Sequence, residues 1–548
     1  MARIAAQLPS RRTAVLLTIY LLVLWGLTAA GRFVPNLARQ DKFEDDAPQH
    51  VWWTYRFADP TLFPNDEMAR FMSGPPCAPP GYRTIYRLAV PHFDAQRVSE
   101  TIPIVLSVLL MAGALLMGYR AGGGWAGAIF LSLVIVQRLY FDHLQGGFPR
   151  AFGLPIMLFA MWALMARRLG LLGLAFLAAA LFYPPCLVPP VMCTAVALSW
   201  DFWKTRRLPK GWLVMGILLA ASVVLLLMFM KGLPKEFGPI VTPSEARVTA
   251  EFQPHARAEY FNVGWRQFIF DSPLSGFGYD MWVVLGFFGL VILSVIIFGN
   301  FVPTEGWLLL IGSLLSFIAA HILIFHMHVP NRHVQYPMVV FRLIWLAALV
   351  PPVIKLLNKP LTWWPVLQKI KTPVVVAALL IALIIIGTSS IKRMRKTLKL
   401  PVDQDMENAY AFINTLPKNT LVAAHPYDAN AVPLRTQRSV LACWETYHPY
   451  WVGYAHYIQP RVAAEIKAQY ASDWKDVQAL NEKYGVSVYL VNDWNYWSDE
   501  AINFCYPYTA GDLAAVAEGR EKGFALLNPP EGRVLYRSGH VSVVRLSP

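Results

Sequence analysis

A succession of apolar segments, each close to the length of a bilayer crossing, runs through the first 390 residues and limits what this chain can fold into. A spanning helix needs about 20 mostly apolar residues. The segments are Thr13–Ala30, Thr101–Gly118, Gly122–Tyr140, Ala151–Ala166, Leu169–Phe182, Leu187–Trp200, Gly211–Met230, Met281–Phe298, Trp307–Phe325, Tyr336–Ile354 and Thr372–Thr388. They predict about eleven transmembrane helices. Charged residues make up only 15% of the chain, against roughly 25% in a soluble domain, so much of its surface meets lipid. The fifth and sixth segments share the break Tyr183-Pro184-Pro185-Cys186 and read as two short helices or one broken helix. Such breaks persist where protein or water satisfies the freed backbone groups.

Short basic loops orient the spans. Arg11/Arg12, Arg167/Arg168, Lys204–Lys210 and Lys355–Lys371 fall on one side of an eleven-span path, which places the N-terminus in the cytoplasm and the C-terminus outside. The run Lys392–Lys399 then faces outward; a ten-span path would reverse that and expose the Lys204–Lys210 loop instead. No small-residue cleavage site follows the first apolar run, which reads as a span rather than a signal peptide. The sequence has no Asn-x-Ser/Thr acceptor, which favours a bacterial envelope protein over one of the secretory pathway, and the localisation expected is the bacterial inner (plasma) membrane.

Three long segments are then external: 31–100, 231–280 and the C-terminal stretch from 391. The division expected is a membrane domain over 1–390, including outer loops 31–100 and 231–280, and an extracytoplasmic α/β domain over 391–548. In the latter, Met406–Leu416, Pro460–Tyr470 and Trp474–Tyr484 have helical character, whereas Thr420–Ala424, Val486–Val491, Val534–Ser538 and Val541–Leu546 read as strands. Alternating helices and strands indicate a small α/β fold. The net charge of +14 fits basic cytoplasmic loops and anionic headgroups; no reader motif or basic stripe points to nucleic acid. Cys77, Cys443 and Cys505 lie in external segments where a disulfide can form; Cys186 and Cys193 read as apolar core residues.

The sharpest chemical signal is Glu44-Asp45-Asp46-Ala47-Pro48-Gln49-His50-Val51-Trp52-Trp53. Asp45 or Asp46 can cap a helix whose first turn holds Pro48. The aromatic stretch through Phe57 suits a helix lying on the membrane surface. These acids are candidate bases, or merely a cap with solvated neighbours. His50, one turn beyond, can orient a carboxylate or meet phosphate. Arg150 opens the fourth span, where it snorkels to headgroups or binds an anion. Arg332 and His333 share the loop His326–Pro337 with His326 and His328; a forked guanidinium suits phosphate, whereas the histidine spacing fits no standard metal site. Arg342, further along the tenth span, is a functional candidate by its position alone. Trp451 stands among Trp444, Tyr447, Tyr450, Tyr454 and Tyr457, and a second cluster holds Trp494, Tyr496 and Trp497. Flat aromatic faces suit sugar rings and equally suit a membrane-facing surface. No phosphate-cradling P-loop, dinucleotide fingerprint, His-Glu-x-x-His or nucleophile elbow occurs.

With these residues, the chain resembles the GT-C superfamily of membrane glycosyltransferases, which includes protein O-mannosyltransferases and aminoarabinose transferases. The likeness lies in a cytoplasmic N-terminus, an acidic pair in a long first outer loop, many spans and an external C-terminal domain. Glu44-Asp45-Asp46 stands where the family keeps its acidic motif; Gly146–Arg150, Val329–Tyr336 and Tyr410–Pro417 are similar to loops of bacterial members. The resemblance implies an inverting transfer of a sugar from a polyprenyl-phosphate donor to an envelope glycan, lipid or protein at the outer membrane face. It implies catalysis by Asp46, Asp45 or Glu44, and substrate binding by His50, Arg150, Arg332, His333 and Trp451. The basic run after the last span departs from the pattern. No second acidic motif can be placed, so a divalent metal has no motif behind it and the cofactor stays unassigned. Two other readings remain: a transporter or flippase for a lipid-linked or anionic solute, and a non-catalytic scaffold of an envelope assembly.

Overall fold

The computed structural model describes residues 11–39, 41, 46–75, 77–136, 138–231, 234–254, 256–260, 281–327, 329–357, 365–504, 506–508 and 513–547. The chain divides into two compact units, and the division crosses the sequence several times.

The first unit comprises Met1–Gln40, Glu100–Leu227 and Gly264–Leu400. Among its described residues, six helices are long and apolar enough to span a membrane: Arg12–Ala38, Ala95–Gly122, Pro184–Thr205, Trp212–Lys231, Thr304–Ile322 and Arg332–Leu356. A seventh crossing arises if Ala126–Val136 and Tyr140–Gly147, bent by 66° to each other, form one span. Pro149–Met165, Leu169–Phe182 and Leu285–Phe298 are apolar but shorter. Each of the eleven expected segments overlaps a helix, the last being Pro365–Leu398. Their lengths, however, do not all reach a full crossing. Leu213, Ile217, Val224, Leu227 and Met228 are exposed on a helix with almost no polar residue, the surface expected of a helix solvated by hydrocarbon.

The second unit comprises Asp41–Ser99, Met228–Val263 and Pro401–Pro548. The sequence division had assigned both outer loops to the membrane unit. Here they pack with the C-terminal segment, because their aromatic and ionic partners lie there. Phe71 stacks on Tyr454 with ring centroids 3.7 Å apart and meets Trp451 at 5.5 Å. Ile240 bridges Trp451, and Val241 N–H donates to the Tyr450 carbonyl at 2.9 Å. Gly453 makes this approach feasible: a Cβ there would lie 2.0 Å from the Glu236 carbonyl oxygen. Arg257 pairs with Glu445 at 2.8 Å and Lys418 with Asp59 at 2.5 Å.

The core of this unit is a five-stranded sheet: β1 (Leu421–Ala424), β2 (Ser439–Val440), β3 (Val488–Asn492), β4 (Val534–Ser538) and β5 (Val541–Arg545), ordered β2-β1-β3-β5-β4. β1 is parallel to both neighbours, with Val422 opposite Val440 and Val488; β5 runs antiparallel to β3 and β4. All five β3 residues are buried, as a central strand covered on both faces requires. Helices Gln404–Thr415 and Trp474–Tyr484 start at aspartates that accept backbone N–H bonds, Asp403 from Met406 and Asp473 from Lys475. The second ends at Gly485, whose φ of +72° suits glycine.

Candidate functional site

The acidic motif lies in the second unit. Glu44 and Asp45 fall outside the described residues. Asp46 occupies the N-cap position of helix Ala47–Val51, with Pro48 in the first turn, but its carboxylate makes no capping bond. The expected surface helix does not form. Ala47–Val51 gives way to a 3₁₀ turn, Trp52–Phe57, whose first four residues are buried. Trp52 is 1% exposed and meets Phe63 edge-on at 4.7 Å. These aromatics are core, since the loops and the C-terminal segment close over them instead of leaving them at headgroup level. His50 accepts a hydrogen bond from the Tyr82 hydroxyl at its carbonyl, 3.0 Å away, which ties the turn beyond the acids to helix Pro80–Ala89.

Within the first unit, the predicted arginines come together around two tyrosines. Arg150 sits in the 3₁₀ turn Pro149–Phe152, its guanidinium 4.9 Å from the Phe148 ring centroid. Its carbonyl accepts from the Tyr336 hydroxyl at 3.0 Å. Arg332 begins helix Arg332–Leu357 and donates to Gln335 Oε1 at 3.1 Å. Arg332 stands one turn before Tyr336 on the same helix, so both arginine segments meet at Tyr336, whose ring meets that of Tyr183 edge-on at 6.0 Å. His143 joins Tyr336 at 5.5 Å. Gly153 permits this packing: a Cβ there would approach Cys186, Tyr183 and Tyr336 at 2.9–3.0 Å. His333 is 1% exposed, and its Nε2 lies 2.7 Å from the Met327 carbonyl, so it fixes the loop before the helix. Arg342 donates to the Tyr140 hydroxyl at 2.9 Å, and Arg32 pairs with Asp142. Sequence reasoning missed Arg32, Tyr140, Tyr183 and Tyr336, although Arg32 directly after an apolar run was a visible signal.

Trp451, in the second unit, is half-buried against Phe71. Tyr447, four residues before it, belongs to a network that was not foreseen. Glu251 Oε1 accepts from the Tyr447 hydroxyl at 2.7 Å, the Tyr508 hydroxyl at 2.6 Å and Gln459 Nε2 at 2.8 Å. Burial first, then the neighbouring tyrosine and carboxylate, push the Tyr447 hydroxyl far up, so it stays a neutral donor. Among the described residues, one group is close enough to hold a metal ion: Asp403, Asp405 and His540, with ligand atoms within 4.8 Å. The His540 ring bonds both carboxylates, at 3.0 and 3.2 Å, and straps the β4–β5 turn to the helix at Gln404. Cys77 and Cys443 are buried free thiols, so the disulfide open between those two is not formed; Cys443 Sγ instead lies 3.0 Å from Thr446 Oγ1. Cys505 and His328 lie outside the described residues.

The chain has the fold of the GT-C membrane glycosyltransferases that its motifs resemble. It is similar to the oligosaccharyltransferase of Archaeoglobus fulgidus in its apo form, with a TM-score of 0.55 and 12% identity, covering 93% of this chain and 73% of that one. The same archaeal enzyme, AglB, in complex with an inhibitory peptide and a dolichol-phosphate, gives a TM-score of 0.51 at 11% identity, covering 92% and 72%. ArnT from Cupriavidus metallidurans in the apo state gives 0.51 at 14% identity and covers 98% of both chains. No family model and no curated protein matches the sequence.

Proposed function

We propose that this chain is a membrane glycosyltransferase that moves a sugar from a polyprenyl-phosphate donor to an envelope acceptor. In this reading it crosses the bacterial inner membrane about eleven times, with its N-terminus cytoplasmic and its α/β unit outside. The observation that carries the reading is that the segments bearing Arg150 and Arg332 meet at Tyr336 in a unit of apolar helices. Cationic side chains in such surroundings are costly and mark candidate ligand or ion sites. A lipid phosphate is the anion this reading brings to them.

In this reading the steps are those that the family resemblance implies. A carboxylate, Asp46 or its neighbours Asp45 and Glu44, takes the proton of the acceptor hydroxyl. The freed oxygen attacks the anomeric carbon from the side opposite the phosphate, and the bond from that carbon to the phosphate oxygen breaks. The configuration inverts, and the polyprenyl phosphate leaves with its charge matched by Arg150 and Arg332. His333 positions the Arg332 turn, His50 holds the turn after the acids, and Trp451 offers a face to the acceptor. The complex of AglB with a dolichol-phosphate supports a lipid-linked donor.

The test is release of free polyprenyl phosphate, followed by mass spectrometry, when purified protein is mixed with envelope lipid extract. Wild type releases it; Arg332→Ala and Arg150→Ala each slow release by about 10²–10³-fold while remaining folded. Equal release by both variants removes the phosphate role. Movement of intact lipid-linked sugar between leaflets, without release, favours the transporter reading.

A further inference from the structure

The sheet of the second unit has a feature that the transfer reaction does not use. β1 lies between β2 and β3, both parallel to it. In open α/β sheets, ligands bind outside the carboxyl ends of the strands where the order reverses, here between β1 and β3. The residues following those two strands carry a particular chemistry. After β1 come Tyr427 and Asp428; after β3 come Trp494, Asn495 and Trp497, with Asn492 at the strand's last position.

Asp428 Oδ2 accepts from Asn495 Nδ2 at 2.6 Å and Asn492 Nδ2 at 3.2 Å, so the two strand ends are joined at this carboxylate. Asn495 is 1% exposed, and its Oδ1 has no hydrogen-bond donor among the described residues. A buried amide acceptor is rarely left unsatisfied without a ligand or water to meet it. Each member of the bonded pair has an exposed aromatic neighbour: Tyr427 is 52% exposed and Trp494 47%, with Trp497 at 58% one turn on. Large aromatics are ordinarily well buried, and grouped exposure marks a binding surface.

We propose that the carboxyl-terminal edge of the β1/β3 pair is a carbohydrate-binding subsite. A pyranose ring lies against the Trp494 face, with Tyr427 at its rim, and its edge hydroxyls bond the Asp428 carboxylate that Asn492 and Asn495 hold in place. Apolar ring faces meet aromatic faces while ring-edge hydroxyls meet the carboxylate, which is the division of labour this edge presents. The subsite stands on the second unit alone and does not depend on the proposed transfer.

The test uses the full chain in lipid nanodiscs free of glycolipid and of glycoside detergent, applied to a printed array of neutral and acidic oligosaccharides. Wild type binds a subset above empty nanodiscs. For the best-bound saccharide, Trp494→Ala and Tyr427→Ala each weaken binding at least about tenfold, with thermal unfolding unchanged. Both side chains are about half exposed, so truncation leaves the fold intact; Asp428→Asn, which keeps the volume, gives a second check by weakening binding in the same way. No binding by wild type, or binding that the variants retain, overturns the subsite. Trp494-dependent adsorption to added anionic vesicles, without saccharide binding, assigns the face to lipid and overturns it too. Polyprenyl phosphate release that persists while array binding is absent separates failure of this subsite from failure of the transferase reading.

Discussion

Glu251 is the acceptor on which the second unit's segments converge, and its removal has a calculable cost. Three donors, from Tyr447, Tyr508 and Gln459, reach one carboxylate oxygen at 2.6–2.8 Å, and the residue is 4% exposed. A hydrogen bond to a charged group contributes about 1.5–3 kcal/mol, and a buried donor left unmet costs about 1–3 kcal/mol. Full additivity overstates the loss, because Tyr447 and Tyr508 lie 2.9 Å apart and can bond each other, and Gln459 is only part-buried and can turn toward water. That leaves about 3–4 kcal/mol for Glu251→Ala. In a unit of this size each kcal/mol moves Tm by about 2–4 °C, so a drop of roughly 6–16 °C is expected. Glu251→Gln keeps an acceptor and should lose about a third of that. Differential scanning fluorimetry in nanodiscs, with limited proteolysis to report opening of the second unit, measures both variants. An alanine variant within about 2 °C of wild type, with unchanged proteolysis, refutes the anchoring role.

Further outcomes follow from the same structure. Burial holds the His425 imidazole neutral down to about 4, whereas in the unfolded chain it protonates near its ordinary value of 6.5. The unfolded state therefore takes up the extra proton between about pH 6.5 and 4, and stability present above that window is lost as the pH falls through it; relative to His425→Gln, wild type should lose about 3 kcal/mol, read by denaturant midpoints. Gly453→Ala places a methyl against the Glu236 carbonyl and should destabilise the second unit by about 1–3 kcal/mol, visible as faster proteolysis within residues 234–260. Equal proteolysis would mean that this strand bridge is not held as described. Arg342→Lys should leave Tyr140 bonded and activity within about threefold, whereas Arg342→Ala, with release assayed as above, should cost about tenfold or more.

Much of the fold is written locally in the sequence, and the places where it is not are physically intelligible. Leu169–Phe182, Met281–Phe298 and Trp474–Tyr484 start and stop where the apolar pattern, a cap or a glycine says they should. The hairpin Val534–Ser538/Val541–Arg545 was equally plain. Helix Val452–Gln469 begins two turns before the expected start at Pro460, because its first turns are fixed by packing of Tyr454 on Phe71 rather than by a local cap. β2 is two residues long and carries no periodicity to read. The burial of Trp52 and Trp53 was misread because aromatic residues look the same at a headgroup surface and in a core; only closure by residues hundreds of positions away decides between them. The same long-range packing made Glu251 illegible, since nothing near it in sequence is unusual. Of the candidate site, Arg150 and Arg332 were found individually from their placement at the ends of apolar runs, whereas the meeting of their segments at Tyr336 emerges only in three dimensions.

The central claim is that the chain consumes a polyprenyl-phosphate sugar, and the lipids of cells lacking it test this most directly. Mass spectrometry would compare these cells with the same cells carrying wild type, Asp45→Asn, Asp46→Asn or Arg332→Ala. The account predicts that a polyprenyl-phosphate sugar accumulates without the protein, that wild type clears it, and that Arg332→Ala and at least one of the two Asn variants do not. An unchanged lipid pool, or clearance by every variant as complete as by wild type, contradicts it.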